Sequence, residues 1–370
     1  MTGGTGGSAD PPAVVEAGLH RVRLPLLAPH VAAHGTEDDR HVILVSVTDG
    51  DGVTGWGECP TLARPGYGSE WTSGAWAVLR DRLVPRVLAR RSQIGLDDHP
   101  MASGALRDAL VDLRLRGADE GPTSVAGPLA ERVAFGVALG LADDPGLVAA
   151  EAEEAQAAGA RLVVVKIRPG WAVAPVSAVR RACPDLAVAV DANGSFSADG
   201  LDELREVAGL GLDFVEQPVA YDDPEASAAL TRLLDVPVAL DEAVGSSSDL
   251  EAAVARRAGR MLTVKASRLG GLERALAATS QAAAAGWSVH AGGMLESGVG
   301  RAVARVVAAR PEVSGPGLVG PTSLLFADDV VDPVGSDAEG LVAVHPGPGL
   351  APPPAPDRLR ALTVERWRTR

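Results

Sequence analysis

The stretch Val163-Val164-Val165-Lys166 opens a series of short apolar segments, each of which ends in a charged or polar residue. The segments that follow are Val188-Ala189-Val190-Asp191, Asp213-Phe214-Val215-Glu216, Val238-Ala239-Leu240-Asp241, Leu262-Thr263-Val264-Lys265 and Ser288-Val289-His290. Their last residues are 24 or 25 positions apart. Since about 25 residues accommodate one strand, one helix and two short loops, the repeat predicts a parallel α/β barrel of the TIM type.

The rest of the chain is organised around that repeat. Residues 1–12 are glycine-rich without a hydrophobic stretch, and we expect a disordered lead-in rather than a signal peptide. Residues 13–128 contain a predicted hairpin at 42–58 and a helical pattern near 101–113, which indicates an α+β domain. We expect the barrel over 129–325 and a C-terminal segment, 326–370, that returns to the front domain. A first barrel strand is predicted over Val133–Leu139, an eighth within 312–320, a further strand at Leu341–Val344 and a helix at Asp357–Trp367. Barrel helices are predicted over 145–158, 172–182, 198–208, 224–234, 248–258, 272–285 and 297–309.

The composition and net charge of the chain argue against several classes of partner. The 370 residues carry a net charge of −14, which argues against a nucleic-acid partner. No apolar run approaches the roughly 20 residues that span a bilayer, so we expect no membrane partner and a cytoplasmic location. The two cysteines, Cys59 and Cys183, do not form a disulfide framework.

The residues that end the segments indicate a catalytic site. Side chains at the carboxyl ends of barrel strands converge on one mouth, so we expect Asp191, Glu216 and Asp241 to lie together. An all-oxygen set of ligands favours Mg²⁺, with Mn²⁺ possible. Singly, such a carboxylate is more often a loop cap or ion-pair partner, but five charged residues in register on consecutive strands favour a functional site.

Two lysines flank the three carboxylates. Lys166 and Lys265 are four strands apart in an eight-stranded ring, so they face each other across the mouth. A carboxylate substrate bound to the metal would place its α-carbon between them, and the divalent ion would stabilise the enediolate that forms when the α-proton leaves. A lysine acts as a base only if its pKa falls from about 10.4 towards neutrality.

Other residues near the strand ends are weaker candidates. His290 is either a core residue or part of the site. Arg168 is either a cation behind Lys166 or a rim charge. Gly270-Gly271 opens a helix whose N-terminus attracts anions, and the pair in Gly292-Gly293 permits either close approach of a ligand or a tight turn.

These motifs resemble those of the enolase superfamily, in its muconate-lactonizing-enzyme subgroup. The matching stretches are Val165–Trp171, Val190–Asn193, Val215–Pro218, Leu240–Glu242, Val264–Gly271 and Gly292–Gly298. The resemblance implies a modified (β/α)7β barrel with an α+β capping domain, Mg²⁺ bound by Asp191, Glu216 and Asp241, Lys166 as the proton-abstracting base and Lys265 on the opposite face. It also implies substrate contacts from the cap loops Pro29–Gly35 and Pro60–Trp71. Further substrate-binding or supporting residues that it implies are Asn193, Gln217, Glu242, Arg168, His290, Gly292, Gly293, Met294 and Glu296.

The sequence departs from the family pattern at two places. Val164 stands where the family has the first lysine of its Lys-x-Lys motif, and residues 319–326 lack the acidic residue that usually follows the eighth strand. Within the subgroup the motifs are most similar to those of o-succinylbenzoate synthases, which dehydrate a cyclohexadiene carboxylate in menaquinone biosynthesis. N-succinyl- or N-acylamino acid racemases are the alternative. A catalytically inactive barrel that binds metabolites is the alternative of a different class. The implied partner is a small-molecule carboxylate, with a homo-oligomer possible.

Overall fold

The computed structural model describes residues 13–32, 35–90, 98–197 and 200–369. The predicted lead-in lies outside them. The strands are β1 (Val14–Ala32), β2 (Gly35–Asp49), β3 (Thr54–Cys59), β4 (Arg132–Ala134), β5 (Gly136–Leu139), β6 (Leu162–Lys166), β7 (Ala187–Asp191), β8 (Val215–Glu216), β9 (Val238–Leu240), β10 (Met261–Val264), β11 (Ser288–Ala291), β12 (Leu341–Ala343) and β13 (Thr363–Arg368). The helices are α1 (Thr72–Val78), α2 (Val84–Leu88), α3 (Pro100–Gly117), α4 (Thr123–Ala126), α5 (Pro145–Ala157), α6 (Val173–Ala182), α7 (Leu201–Ala208), α8 (Pro224–Leu233), α9 (Ser247–Arg256), α10 (Leu272–Ala284), α11 (Gly298–Ala308) and α12 (Pro356–Leu362).

The predicted barrel is confirmed. Strands β5 to β11 form one parallel sheet in chain order, and a helix follows each of them. The segment around Gly317 closes the ring: Gly136 N donates to Gly317 O at 2.7 Å, and Leu318 N donates to Ala291 O at 2.7 Å. The core lies mainly between the outward-facing strand residues and the helices, so the inward-facing residues at the strand ends are left to form a site.

The eighth, closing segment is irregular, because Pro316 has no N–H to donate and glycines flank it. Two buried arginines of α11 satisfy its carbonyl groups. Arg305 donates to Val319 O at 2.9 Å and to Gly320 O at 3.0 Å, and Arg301 donates to Leu318 O. Side chains therefore replace part of the strand pairing here.

Three element predictions were wrong. Val133–Leu139 is two strands, since β4 leaves the barrel sheet and pairs with β12 in antiparallel fashion. The predicted strand Leu341–Val344 therefore does not return to the front domain. The chain from Asp357 to Trp367 is not one helix: α12 ends at Leu362 and β13 continues from Thr363, because the free edge of β1 offers it backbone partners.

The capping domain is an antiparallel sheet in the order β13-β1-β2-β3, with α3 packed across β3. Glycines in β3 permit this close packing. A Cβ atom at Gly57 would lie 2.0 Å from Ala105 O, and one at Gly55 would lie 2.2 Å from Ala109 O. The helix therefore lies directly on the strand backbone.

Helix α3 also joins the cap to the barrel. A Cβ atom at Gly104 would lie 2.7 Å from Gly271 N, and Asp108 Oδ1 accepts a hydrogen bond from Leu272 N at 2.8 Å. The N-terminus of α10 is thus already occupied by a carboxylate of the cap. The paired glycines at 270–271 serve helix docking, which corrects the interpretation of this turn as an anion site.

We predict that Gly104→Ala destabilises the protein by about 1–3 kcal/mol, because a methyl group cannot enter this contact without moving one of the two backbones. Gly117→Ala in the same helix is the matched control, since no atom lies within 4 Å of its Cβ position. Urea unfolding of both variants measures the difference. Equal stability of the two variants would contradict the docking described here.

Candidate active site

The barrel brings the five predicted charged residues to one edge. Lys166, Asp191 and Glu216 end three adjacent strands and pair in register, while Asp241 and Lys265 directly follow the next two strands. Each of the five residues is at least nine-tenths buried. An alternating strand directs every second residue inwards, and this places the row at the mouth.

Each lysine contacts a carboxylate of the row. Lys166 Nζ lies 2.5 Å from Asp191 Oδ2, and Lys265 Nζ lies 2.5 Å from Asp241 Oδ2. Because β6 and β10 are the outer strands of this set of five, the two amines lie at opposite ends of the row. Glu216 occupies its centre.

Glu216 is the residue whose environment is least satisfied. Its Oε2 atom is buried and has no hydrogen-bond partner, and burial, followed by the charges of Asp191 and Asp241, raises the pKa of its carboxyl well above the ordinary value. An ionised carboxylate in this position requires a cation. The donor chemistry of the three carboxylates therefore fits a divalent metal ion.

The carboxylates are not arranged around a metal as they stand. Within the described ranges, no group of three His, Cys, Asp or Glu side chains has the spacing to hold an ion. The two lysine contacts give the reason, since Asp191 and Asp241 each direct an oxygen at an ammonium group. A metal ion would have to compete with the lysines for these oxygens.

Two further residues surround Lys265, and sequence reasoning did not single them out. Tyr67, in the cap loop Pro60–Trp71, accepts a hydrogen bond from Lys265 Nζ at 3.0 Å and donates to Asp241 Oδ2 at 3.1 Å. Arg268 Nη2 lies 2.8 Å from Asp241 Oδ1. Burial and Asp241 act in opposite directions on the Lys265 amine, and Asp241, with smaller contributions from Tyr67 and Glu216, raises its pKa well above the ordinary value.

Asn193, Gln217 and Glu242, which the family pattern implies, lie in contact with the row or with one another. Asn193 Oδ1 accepts from Lys166 Nζ at 2.8 Å, while its Nδ2 donates to Glu242 Oε1 at 3.0 Å. Gln217 Oε1 accepts from the backbone N–H of Asp241 at 3.1 Å. Burial, then Asp241, raises the pKa of Glu242 to about 7. Asn193 and Gln217 have positive φ angles of 43° and 36°, which turn the chain immediately after the strands.

His290 lies inside the barrel, one inward-facing position before Gly292. Its ring is 4.9 Å from that of Phe214, and its Nε2 atom is buried without a partner. Burial, followed by the charge of Lys265, lowers its pKa to about 4. His290 is therefore a neutral residue that lies in the core beneath the row.

The remaining predicted residues lie at different distances from the lysines. A Cβ at Gly292 would lie 2.9 Å from Lys265 Cγ, so this glycine packs against the lysine stem. Arg168 is exposed beyond the end of β6, as a rim charge, and does not support Lys166. Met294 packs in the core of the cap, and Glu296 accepts from Met294 N at 2.8 Å and pairs with Arg301.

The two departures from the family pattern have structural counterparts. Val164 lies in an apolar cluster inside the barrel with Leu162, Ala189 and Phe214. Gly320 and Pro321 line a cavity that also contacts Gly293. Apart from Arg301, its lining side chains are apolar: Val137, Ala138, Leu295, Leu318, Leu324 and Leu325.

The positions of the lysines in the sequence are a further indication of the site, which the motifs alone did not give. The chain has 32 arginines but only two lysines, and these are Lys166 and Lys265. Arginine stays protonated at any ordinary pH, whereas a lysine amine releases its proton when its environment demands it. The two lysines of the sequence are thus the two residues that place a titratable amine against the carboxylates.

Comparison with known proteins is consistent with this geometry. The model of the family described as enolase C-terminal domain-like matches residues 147–357. An N-succinylamino acid racemase from Amycolatopsis sp. is 33% identical over 94% of this chain and 97% of its own length. An o-succinylbenzoate synthase from Geobacillus stearothermophilus is 32% identical over 90% and 91%. The crystal structure of an N-succinyl Arg/Lys racemase from Bacillus cereus superposes with a TM-score of 0.88 at 25% identity, covering 97% of this chain and 100% of that one.

We predict that Asp241→Asn lowers the pKa of Lys265 in the metal-free protein, because the carboxylate that raises it is removed. Lysine labelled with ¹³C at Cε gives two side-chain signals in this chain, so each amine can be titrated by NMR. Asp213→Asn is the control, since Asp213 lies before β8, at the opposite end of the barrel. A Lys265 pKa unchanged by Asp241→Asn would show that the ion pair does not form.

Proposed function

This chain belongs to the enolase superfamily, and on that premise we propose that it is an enzyme that removes the α-proton of a small carboxylate substrate. The observation that carries the proposal is the pair of lysines at opposite ends of a buried carboxylate row. Two amines in this arrangement would reach both faces of a substrate carbon atom held over Glu216. The general pattern of this superfamily is a lysine or histidine base with Mg²⁺.

Asp191, Glu216 and Asp241 would hold the Mg²⁺ ion, with Mn²⁺ as a substitute. When bound, the metal supplies Lewis-acid stabilisation of negative charge on the substrate carboxylate. The partnerless Oε2 of Glu216 supports this assignment. Glu242 and Asn193 lie behind the row and hold its polar groups in place.

Lys166 is the proposed base. Its amine is held by Asp191 and by Asn193 Oδ1, so its position is fixed from the barrel side. From that side of the mouth the amine would accept the α-proton of the substrate. Because residue 164 is a valine, strand β6 places no second cation beside Lys166.

Lys265 is proposed to act chiefly as a cation in a dehydration of the o-succinylbenzoate synthase type. Asp241 and Tyr67 hold the amine in its protonated form. An ammonium group there would stabilise the developing negative charge while Lys166 takes the α-proton and then gives a proton to the hydroxyl group, which leaves as water from the same face. This reaction would place the protein in menaquinone biosynthesis, and a cytoplasmic location and a homo-oligomer also stay predictions.

Racemisation of an N-succinyl- or N-acylamino acid is the second candidate. The near-symmetry of the site favours it, since each lysine contacts one carboxylate at the same distance of 2.5 Å. A racemase needs a base on one face and a proton donor on the other, and the roles exchange with the substrate's configuration. Both reactions share the first step.

The first step is the most direct test of the proposal. In D₂O with Mg²⁺, an N-succinylamino acid should exchange its α-proton for deuterium, which NMR detects as loss of the α-proton signal. Lys166→Ala should abolish the exchange at the face of this lysine, and excess chelator should abolish it in the wild-type protein. No exchange with any carboxylate substrate by the metal-loaded protein would favour the inactive metabolite-binding barrel.

We predict that Lys265→Arg depresses racemisation far more than dehydration. Arginine keeps the positive charge but does not exchange a proton at neutral pH. Each rate is measured on its own substrate and divided by the wild-type rate. An equal loss in the two reactions would show that Lys265 acts through a geometry that arginine cannot reproduce, and the division of roles would be dropped.

A further inference from the structure

Arg40 of β2 is a fully buried cation far from the carboxylate row in sequence. We propose that Arg40 is a positioning residue for Lys265: its guanidinium group fastens together the two loops that enclose the Lys265 side chain. The inference rests on the proposed function, in which Lys265 faces the substrate carbon from the side opposite Lys166.

The guanidinium group donates to four carbonyl groups. Two belong to the cap loop, where Nη1 donates to Thr61 O at 2.8 Å and Nη2 donates to Pro60 O. Two belong to the loop after β11, where Nη2 donates to Met294 O at 2.9 Å and Nε donates to Leu295 O at 3.1 Å. One side chain of the cap therefore joins a cap loop to a barrel loop.

The cap loop reaches Lys265 through Tyr67. Its hydroxyl accepts from Lys265 Nζ at 3.0 Å, and its ring centroid lies 5.1 Å from the same atom. Glu37 reinforces the attachment of this loop, because its Oε1 accepts from Ala63 N at 3.0 Å and its Oε2 lies 3.3 Å from Arg40 Nη1. The position of the tyrosine hydroxyl thus depends on the Arg40 anchor.

The barrel loop reaches Lys265 through Gly292. A Cβ atom there would lie 2.9 Å from Lys265 Cγ and 3.0 Å from its Cε, so the glycine backbone forms a wall along the lysine stem. Met294 and Leu295, which Arg40 holds, follow two and three residues later. Both the stem and the amine of Lys265 are therefore positioned by loops that share one anchor.

None of the described contacts of Lys166 involves a loop that Arg40 holds. Its amine contacts Asp191 at the end of β7 and Asn193 two residues later, both within the barrel. Loosening of the Arg40 anchor should therefore displace Lys265 and leave Lys166 in place. A displacement of about 1 Å from the reacting geometry costs on the order of 10²-fold in rate.

Removal of Arg40 also has a cost in stability that must be separated from positioning. The carboxylates that face it are Glu37, Glu58 and Glu296, and loss of the cation removes the positive charge that they face and one hydrogen-bond donor from each of four carbonyl groups. Arg40→Met is the full test. Arg40→Lys keeps the charge but not the planar set of donors, and it serves if the methionine variant does not fold.

The experiment uses the two lysines of the chain as probes. In protein labelled with ¹³C at lysine Cε, Arg40→Met should shift the Lys265 signal and leave the Lys166 signal at its wild-type position. Arg40→Lys should shift the Lys265 signal by less, and the extra signal of its new lysine is identified by comparison with the wild-type protein. Arg116→Met is the control, since Arg116 is a largely buried arginine that pairs with Asp112 and donates to Ala351 O. It should move neither signal.

The second arm measures exchange of the α-proton for deuterium from each enantiomer of an N-succinylamino acid. Exchange at the Lys265 face should fall about tenfold to a hundredfold relative to exchange at the Lys166 face. If Arg40→Met, or Arg40→Lys where only that variant folds, shifts both lysine signals equally or neither, the inference is overturned. If the wild-type protein shows no exchange, the proposed function fails, while the NMR result still decides the role of Arg40.

Discussion

The structure depends on one electrostatic constraint, which is that several carboxylates are buried together at the mouth of the barrel. Asp191, Glu216, Asp241 and Glu242 lie in or beside a single row, and each ionised group must be matched by a cation in this largely buried region. Lys166, Lys265 and Arg268 supply that charge in the protein as described. The centre of the row, at Glu216 Oε2, stays unmatched.

In the proposed function, this imbalance would link metal binding to proton transfer. The oxygens suited to a metal ion are the ones that contact the two lysine amines, so a cation bound there would compete with the amines for these oxygens. The low pKa of about 2 at Asp241, where Lys265 and Arg268 outweigh the opposing effect of burial, shows how strongly this carboxylate favours a positive partner. In the proposed function, ion binding and the protonation state of Lys265 would therefore depend on the same carboxylate.

The capping domain is held over this row by buried polar contacts rather than by apolar packing alone. Glu58 of β3 accepts from Ser297 N and from Gly300 N, each at 2.9 Å, at the N-terminus of α11. Burial, only partly offset by these donors, raises the pKa of its carboxyl to about 8. A carboxyl whose pKa rises on folding binds more protons in the folded state, so this group destabilises the fold as pH rises from about 4.5 to about 8.

The repeat in the sequence predicted the barrel and the five charged residues because local periodicity determines both. A strand of period two that ends in a charged residue places that residue at the mouth, whatever surrounds it. The sequence did not reveal Tyr67 or Arg40, since their contacts with Lys265 and Met294 join residues 198 and 254 positions apart. The same reason explains the helix predicted at 357–367, since β13 forms only because the edge of β1 is present.

The scarcity of lysine makes the central claim directly measurable. Addition of Mg²⁺ to protein labelled with ¹³C at lysine Cε should lower the pKa of Lys265, because the ion takes up the charge of Asp241 that holds the ammonium form. A lower Lys265 pKa in the metal-bound protein is the result that this account predicts. A Lys265 pKa that is the same with and without bound Mg²⁺ would contradict it, since the metal and the lysine would then not share a carboxylate.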